Sequence, residues 1–254
     1  MATPVAARPG DPGPGGAVAP VRFVLASASP ARLSVLRAAG VEPSVRVSSV
    51  DEDAVAAELS PGTGPHEVVT ALARAKAVDV AHGLLAQPRG ADAPADAVVV
   101  GCDSMLHIGG RLQGKPHTVT TARERWATMA GRSGDLLTGH AVLRIAGGGI
   151  VAEAEGVCST TVRFGTPSRA ELEAYLASRE PLEVAGAFTL DGLGGWFVDG
   201  IEGDPSSVIG IGLPLVRTLL RDVGLDVARV WAGNADGPAA RTAAACEDRD
   251  RPPH

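Results

Sequence analysis

Aromatic side chains are scarce in this sequence: they make up 3% of the 254 residues, whereas hydrophobic residues reach 45%. We therefore predict a core built mainly from Ala, Val, Leu and Ile, with few aromatic rings left to stack on bases. No block of Lys and Arg is present and the formal net charge is −6, which argues against a nucleic-acid or acidic-membrane partner. A single nucleotide stays compatible with this charge, because one phosphate site needs only a few local cations.

Metal-binding and disulfide patterns are also missing. The three cysteines are scattered without a CxxC pair, and the six histidines lack the close spacing of a metal site. No apolar run approaches the length of a membrane span, and the N-terminus lacks the charged-then-apolar layout of a signal peptide. These absences predict a cytoplasmic protein in a reducing setting, with no membrane partner.

Composition divides the chain into a central domain and two extensions. Residues 1–20 are rich in Pro, Gly and Ala, and residues 233–254 are similarly polar, so both are predicted to be disordered. Residues 21–232 then form one domain, long enough to bury a substantial core. Within it, residues 87–96 are predicted to be a surface loop.

An apolar run at residues 21–26 predicts a buried strand, followed by a short helix. Ser29 suits the N-cap, Pro30 the first helical position and Gly40 the end of the helix. Arg32 is unusual there, because a cation in the first turn opposes the helix dipole. An anion bound at this helix end would explain it, shared by backbone N–H groups, serine hydroxyls and the guanidinium. Alternatively, Arg32 lies on the surface beside a carboxylate.

Two further segments carry candidate ligands. Residues 51–53 form an acidic cluster that includes Glu52. It is either a solvated turn or helix N-terminus, or part of a Mg²⁺ site, since Mg²⁺ is typically held by one or two carboxylates plus substrate phosphates. Residues 65–86 have helical spacing, and Lys76 falls next to the apolar stripe of this helix. That lysine is either solvated or packed beside a phosphate site.

Residues 97–115 predict a β-hairpin with a Gly-Gly turn. In strict register Lys115 opposes Ser104, one residue from Asp103, and a bulge would place it opposite Asp103 itself. Asp103 interrupts an apolar run, and a buried carboxylate needs a cation or hydrogen-bond partners. The Asp–Lys pair is therefore either a structural salt bridge, or a metal-binding or general-base Asp with a phosphate-binding Lys.

The remaining motifs predict scaffold rather than chemistry. Capping boxes at residues 121–124 and 168–171 each predict the start of a helix. Gly210 and Gly212 do not make a dinucleotide-binding fingerprint, because the third glycine is absent. No GxxxxGK[ST] motif is present either, which excludes a P-loop NTPase.

Together, these motifs resemble the Maf family of nucleoside triphosphate pyrophosphatases, also called septum-formation proteins. The likeness covers essentially residues 21–224, and several ordered motifs are far more specific than any one of them. It rests on Leu25-Ala26-Ser27-Ala28-Ser29-Pro30-Ala31-Arg32, Val50-Asp51-Glu52, Leu72-Ala73-Arg74-Ala75-Lys76-Ala77, Gly101-Cys102-Asp103-Ser104, Gly114-Lys115-Pro116, Ala185-Gly186-Ala187-Phe188 and Leu213-Pro214-Leu215.

The resemblance implies an α/β fold, with an elongated mixed twisted sheet flanked by helices and two lobes around a central cleft, and often a homodimer. It implies that Asp103 is the proton acceptor. It places the substrate-binding positions on Ser27, Arg32, Lys76 and Lys115. Glu52, together with Asp103, would hold the divalent metal, Mg²⁺ or Mn²⁺.

Three positions depart from the subgroups of that family. Members that act on dTTP and UTP usually read Ser-Pro-Arg-Arg, Ala-Asp-Thr and Ile-Gln-Gly, where this chain has Ala31, Ser104 and Asp191. The subgroup acting on 7-methyl-GTP usually carries Trp, Gln and Glu there, so it does not match either. Because Asp191 accepts hydrogen bonds only, it could select a base that presents N–H donors, such as a guanine or cytosine edge.

The main hypothesis is hydrolysis of a nucleoside triphosphate to a monophosphate and pyrophosphate, clearing non-standard nucleotides from the pool. The rival is a nucleotide-binding regulator of septum formation and cell division with little turnover. Such a regulator would need the phosphate-binding cations but not the proton acceptor, Asp103. The role of Asp103 therefore distinguishes the two hypotheses.

Overall fold

The part of the protein described by the computed structural model comprises residues 21–87 and 96–232. The extensions predicted at residues 1–20 and 233–254 lie outside it, as does most of the loop predicted at residues 87–96. Within the described ranges, no helix is both long enough and apolar enough to cross a membrane.

The strands of the described ranges form one mixed seven-stranded sheet, which confirms the α/β prediction. They are β1 (Arg22–Leu25), β2 (Ser44–Val45), β3 (Asp96–Ile108), β4 (Arg111–Gln113), β5 (Ser133–Ala146), β6 (Gly149–Phe164) and β7 (Val198–Glu202). The order is β2-β1-β3-β5-β6-β7, with β4 also paired to β3. Strand β1 runs parallel to β2 and β3, and the other pairs are antiparallel.

Helices flank this sheet. They are α1 (Pro30–Ala38), α2 (Glu52–Glu58), α3 (Pro65–Leu85), α4 (Val119–Met129), α5 (Arg169–Ala177), α6 (Pro205–Ile209), α7 (Leu213–Asp222) and α8 (Val227–Ala232). Short 3₁₀ turns at Glu180–Glu183, Ala185–Ala187 and Leu193–Phe197 connect α5 to β7.

The local signals are confirmed at most, but not all, of these ends. Ser168 caps α5 with the predicted capping box, whereas the box predicted at residues 121–124 is wrong. Thr118 caps α4 instead, because its hydroxyl accepts the N–H of Thr121. The acidic cluster is a helix N-terminus: Asp51 caps α2 through its carboxylate.

Two lobes share the long strands β3, β5 and β6. In the first lobe, aliphatic side chains pack on both faces of the sheet, under α1 and α7 on one face and under α3 on the other. The second lobe lies around α4 and α5 and holds most of the scarce aromatics. There Trp126 makes edge-to-face contacts with Phe164, Tyr175 and Phe197.

The sheet opens between the lobes along one edge of β3. Strand β1 pairs with β3 as far as Val100, and β4 begins to pair at Leu106. Strand β5 occupies the opposite edge throughout, so residues 101–105 face the space between β1 and β4. Asp103 and Ser104 lie in this stretch, on alternate faces of the strand.

Candidate active site

A cleft of about 530 Å³ occupies this opening, a size in the usual range for small-molecule sites. All the site residues predicted from the sequence line it: Ser27, Ala31, Arg32, Glu52, Lys76, Asp103, Ser104, Lys115 and Asp191. The structure therefore brings together groups that come from β1–α1, α2, α3, β3, the end of the hairpin and the loop before β7.

The N-terminus of α1 forms one wall of the cleft. Ser29 caps the helix by accepting the N–H of Arg32, and Pro30 is its first residue, as predicted. The hydroxyl of Ser27 in turn accepts the N–H of Ser29 at 3.2 Å. The backbone at this helix end is thus held in place beside the cleft.

Arg32 lies across this wall and is held by neutral acceptors. Its Nε donates to the carbonyl of Gly210 at 2.8 Å, and Nη1 donates to Ser27 Oγ and to the carbonyl of Cys102, both at 2.9 Å. Nη2 donates to Ser104 Oγ at 3.2 Å. Four of the five guanidinium N–H groups are thereby used, leaving one for a ligand. The alternative prediction, Arg32 beside a surface carboxylate, is wrong.

The charged centre of the cleft is a buried Lys76–Asp103 pair. Lys76 Nζ lies 2.6 Å from Asp103 Oδ1 and 2.8 Å from Glu52 Oε1. Asp103 is 6% exposed and Lys76 is 8% exposed, so the pair is shielded from water on most sides. Lys76 is part of the buried face of α3 rather than next to it, which corrects the predicted stripe.

Close packing of α3 on the sheet makes this contact possible. A Cβ atom at Gly101 would lie 2.3 Å from the carbonyl oxygen of Ala73, and one at Gly139 would lie 2.3 Å from that of Val69. Both positions therefore require glycine for the helix to approach. The approach brings Lys76 over β3 at Asp103.

The hairpin has the strict register predicted, but Lys115 lies beyond its paired residues. Strand β4 ends at Gln113, and the register found is Ile108 with Arg111 and Leu106 with Gln113. The Gly114 carbonyl instead accepts hydrogen bonds from outside the hairpin, from the N–H of Gly186 and from Arg125. Lys115 is exposed at the rim of the cleft, and the cation that pairs with Asp103 is Lys76.

The cations also act on Glu52. Burial raises the pKa of its carboxyl, but the hydrogen bond and charge of Lys76, with the charges of Lys115 and Arg32, outweigh this and lower the pKa. Glu52 is thus ionised at neutral pH. The neighbouring thiol of Cys102 is unsuited to nucleophilic chemistry, because burial raises its pKa to about 11.

The two carboxylates fit a divalent cation that is completed by substrate. Within the described ranges no group of three or more His, Cys, Asp or Glu side chains is placed to hold a metal. Asp103 Oδ2, however, is buried and has no hydrogen-bond partner among these residues, and Glu52 reaches the same lysine from the cleft side. An incomplete set of two carboxylates is the arrangement expected where phosphate oxygens supply further ligands.

A polar frame behind the cleft was missed by the sequence reasoning. Ser104 Oγ lies 3.1 Å from Thr138 Oγ1, which donates to the carbonyl of Ser207 at 3.0 Å. Ser207 belongs to α6. The carbonyl of Gly210, at the end of that helix, accepts the hydrogen bond from Arg32 Nε. In the sequence, the glycine pair at residues 210 and 212 marks the turn after α6, but Thr138 and Ser207 themselves have no local signature.

The lining of the cleft also includes Asp191, on an exposed loop. Glu180 shapes this loop, since its Oε1 accepts the hydroxyl of Thr189 and the N–H of Gly194, the latter at 3.2 Å. Asp191 itself projects into the cleft opening and is exposed. It is therefore accessible to a ligand that enters the cleft.

Comparison with known proteins gives a consistent result. The sequence model described as Maf-like protein matches residues 22–223. A relative from Nocardia farcinica, named nucleoside triphosphate pyrophosphatase, is 67% identical over 212 residues, covering 82% of this chain and 96% of the relative. Proteins of the same name from Rhodococcus opacus and Mycobacterium tuberculosis are 66% and 58% identical, over 85% and 86% of this chain and 98% and 97% of their own lengths.

Proposed function

Because the chain belongs to the Maf-like protein family, we propose that it hydrolyses nucleoside triphosphates between the α and β phosphates, releasing a nucleoside monophosphate and pyrophosphate. The observation that carries this proposal is the convergence of Arg32, Lys76 and Lys115, from three distant segments, on the cleft that contains Asp103. A polyphosphate is the ligand whose charge such a set offsets.

Asp103 is proposed to accept the proton of the attacking water. Lys76 holds Oδ1 at 2.6 Å, and the buried Oδ2, which has no hydrogen-bond partner among the described residues, is left as the acceptor. As the water oxygen bonds to phosphorus, its proton passes to Asp103 and the bond between the α and β phosphates breaks, with its electron pair leaving on pyrophosphate. The carboxylate is fixed in position, so little rearrangement is needed on the way to the transition state.

The cations stabilise the negative charge that develops on the leaving phosphates. Arg32 keeps one free N–H for a phosphate oxygen, and Lys115 reaches the cleft from the hairpin. The N-terminus of α1 adds the positive end of a helix dipole. Ser27 orients Arg32 while its hydroxyl remains at the cleft wall.

Glu52 and Asp103 are the residues we propose for a divalent cation, Mg²⁺ or Mn²⁺. When bound, such an ion supplies charge neutralisation of the phosphate oxygens. The low pKa of Glu52 keeps it ionised and available as a ligand. Lys76 then stays between the two carboxylates and prevents their mutual repulsion.

Base selection is proposed to lie with Ala31, Ser104 and Asp191. Ala31 leaves space where a longer side chain would reach the ligand, and Ser104 is tied to Arg32. Asp191 offers only acceptor atoms, which suits a guanine or cytosine edge. In this proposal the protein is a cytoplasmic enzyme that clears non-standard nucleotides. It is proposed to be able to form a homodimer.

Replacing Asp103 with Asn tests the catalytic proposal. The amide keeps the shape but cannot accept the proton, so we expect pyrophosphate release to fall about 10²- to 10⁴-fold. Binding of an α,β-methylene triphosphate, which cannot be hydrolysed, should persist. Pyrophosphate release and calorimetric affinity are measured separately, with Asp222→Asn, an exposed carboxylate on α7 outside the cleft, as the control.

The same experiment separates the enzyme from the regulator of septum formation. A regulator binds nucleotide but would show equally slow release before and after the substitution. Unchanged pyrophosphate release in the Asp103→Asn protein would remove Asp103 from the mechanism.

A further inference from the structure

His140 lies in the middle of β5, fully buried behind the cleft, and does not line it. Its two ring nitrogens have different partners. Nδ1 lies 3.0 Å from the carbonyl oxygen of Thr138, which can only accept, so Nδ1 carries the proton. Nε2 accepts the backbone N–H of Gly212 at 2.8 Å. The imidazole is thus neutral and held in one tautomer by both contacts.

The residues that follow α6 link this histidine to Arg32. Gly210 N–H and Ile211 N–H both donate to the carbonyl of Ser206, at 3.1 Å each, and Gly212 donates to His140. The carbonyl of Gly210 accepts Arg32 Nε. Residues 206–212 therefore form one hydrogen-bonded turn with His140 at one end and Arg32 at the other.

We propose that His140 is a positioning residue that holds Arg32 in its nucleotide-binding orientation, acting through the backbone of residues 210–212. The inference rests on the proposed function of Arg32. Gly212 is buried and packs against β6, where an added Cβ would lie 2.5 Å from Cys158 Sγ. Without the Nε2 acceptor its buried N–H loses its hydrogen-bond partner. A carboxylate oxygen, Asp204 Oδ2, lies 2.9 Å from the place of the added Cβ, so the turn must shift to direct the N–H to this oxygen.

Arg32 is sensitive to such a shift because its guanidinium is planar. Four of its donors are aligned at once on Gly210, Cys102, Ser27 and Ser104. Moving the Gly210 carbonyl rotates the plane and misdirects the remaining N–H. The expected consequence is weaker binding of the phosphates, whereas proton transfer to Asp103 should be little affected.

Two amide substitutions separate the contacts of His140. Gln can place its carbonyl oxygen near the position of Nε2 and keep the bond to Gly212, whereas the shorter Asn keeps only the Nδ1-side contact with Thr138. For His140→Asn we expect the dissociation constant of an α,β-methylene triphosphate and the KM to rise about tenfold, with kcat changed less than about threefold. His140→Gln should stay within about threefold of the wild type in each quantity.

A double-mutant cycle with Arg32→Ala tests the route. If His140 acts through Arg32, His140→Asn should weaken analogue binding much less in the Arg32→Ala background than in the wild type. Equal affinity of the Asn and Gln proteins, or an undiminished effect without Arg32, would overturn the inference. His82→Asn, an exposed histidine on α3, is the matched control and should change nothing.

If His140→Asn does not fold, the role of His140 can still be tested with a second variant. His140→Leu gives a second acceptor-free protein, and thermal unfolding shows which variants fold. In the wild type, ¹⁵N resonances of the imidazole must show protonated Nδ1 and free Nε2, and the opposite tautomer would refute the proposal. The affinity for the analogue tests the role of His140, whereas pyrophosphate release tests the proposed function. Either proposal can therefore fail without the other.

Discussion

The two halves of the cleft are built differently. The inner half, comprising Ser27, Arg32, Lys76, Asp103 and Ser104, is held by short hydrogen bonds from strands, helices and the α6 turn. The outer half, comprising Glu52, Lys115, His117 and Asp191, is exposed and lies on helix starts and loops. There His117 Nδ1 is 3.6 Å from Glu183 Oε1, a loose and solvated contact.

This difference separates two tasks. Groups that must meet the reacting phosphates need fixed positions, and burial with full hydrogen bonding provides them. Groups that bind the rest of the substrate or its metal can lie at exposed positions, where substitution costs little stability. Changes in the inner half should therefore affect both folding and turnover. Changes in the outer half should leave folding intact and affect ligand binding, of metal and phosphates at Glu52 and Lys115 and of the nucleobase at Asp191.

The largest expected effect comes from Lys76→Met. It leaves Asp103 buried without its cation, so the free energy of unfolding should fall by about 3–5 kcal/mol. Arg74→Met, two residues earlier on α3, removes an exposed pair with Glu153 and should cost at most about 1 kcal/mol. Urea unfolding measures both. Equal losses would show that burial of the first pair has no energetic consequence.

Stability should also depend on pH through His140. Burial, followed by the charge of Arg32, lowers the pKa of this imidazole to about 4, against an opposing hydrogen bond to Thr138. Between pH 6.5 and 4 the unfolded chain therefore binds a proton that the folded protein does not. The contribution of the neutral His140 to the free energy of unfolding is therefore complete above pH 6.5. It is lost as pH falls toward 4, a decrease of about 3 kcal/mol in total.

The measurement is the difference in unfolding free energy between the wild type and His140→Gln across this pH range. Other titrating groups cancel in the difference. The wild-type value minus the His140→Gln value should fall as the solution is acidified. His82→Gln, at an exposed position, provides the comparison and should give parallel curves. Parallel curves for His140→Gln as well would contradict the prediction.

The smallest effect is expected in the outer half, from Asp191→Asn. The amide adds a donor in place of an acceptor, so the ratio of kcat/KM values for guanine or cytosine over uracil or thymine nucleotides should fall about tenfold. Stability should stay within about 0.5 kcal/mol, because the side chain is exposed. Pyrophosphate release from a panel of triphosphates measures the ratio. An unchanged ratio would show that Asp191 does not select the nucleobase.

Local signals predicted the elements around the inner half well. The cap at Ser29 depends on residues adjacent in sequence, and the turn of the hairpin depends on its two glycines. The scarcity of aromatics predicted an aliphatic core, which is confirmed in the first lobe only. In the second lobe five of the chain's eight aromatic side chains pack together, a concentration that composition averages away.

Some predictions that depended on distant contacts were wrong, although the predicted site residues do line one cleft. Counting residues from the hairpin turn put Lys115 opposite Ser104, but the Gly114 carbonyl bonds to Gly186, more than 70 residues away, and the strand ends. The frame of Thr138 and Ser207 had no local signature either, since hydroxyl residues on a strand are as often solvated. Helix α8 was also missed, and its contact with β3 runs through Arg229 and Asp96.

By itself, the sequence determined which chemical groups this protein has and the order of its motifs, because caps, turns and apolar runs are read within a few residues. Only the tertiary structure decided that Lys76 rather than Lys115 pairs with Asp103, and that Arg32 is held by the α6 turn in front of His140. Those choices depend on how closely α3 packs on Gly101 and where β4 stops, which are settled by contacts between segments far apart in the chain.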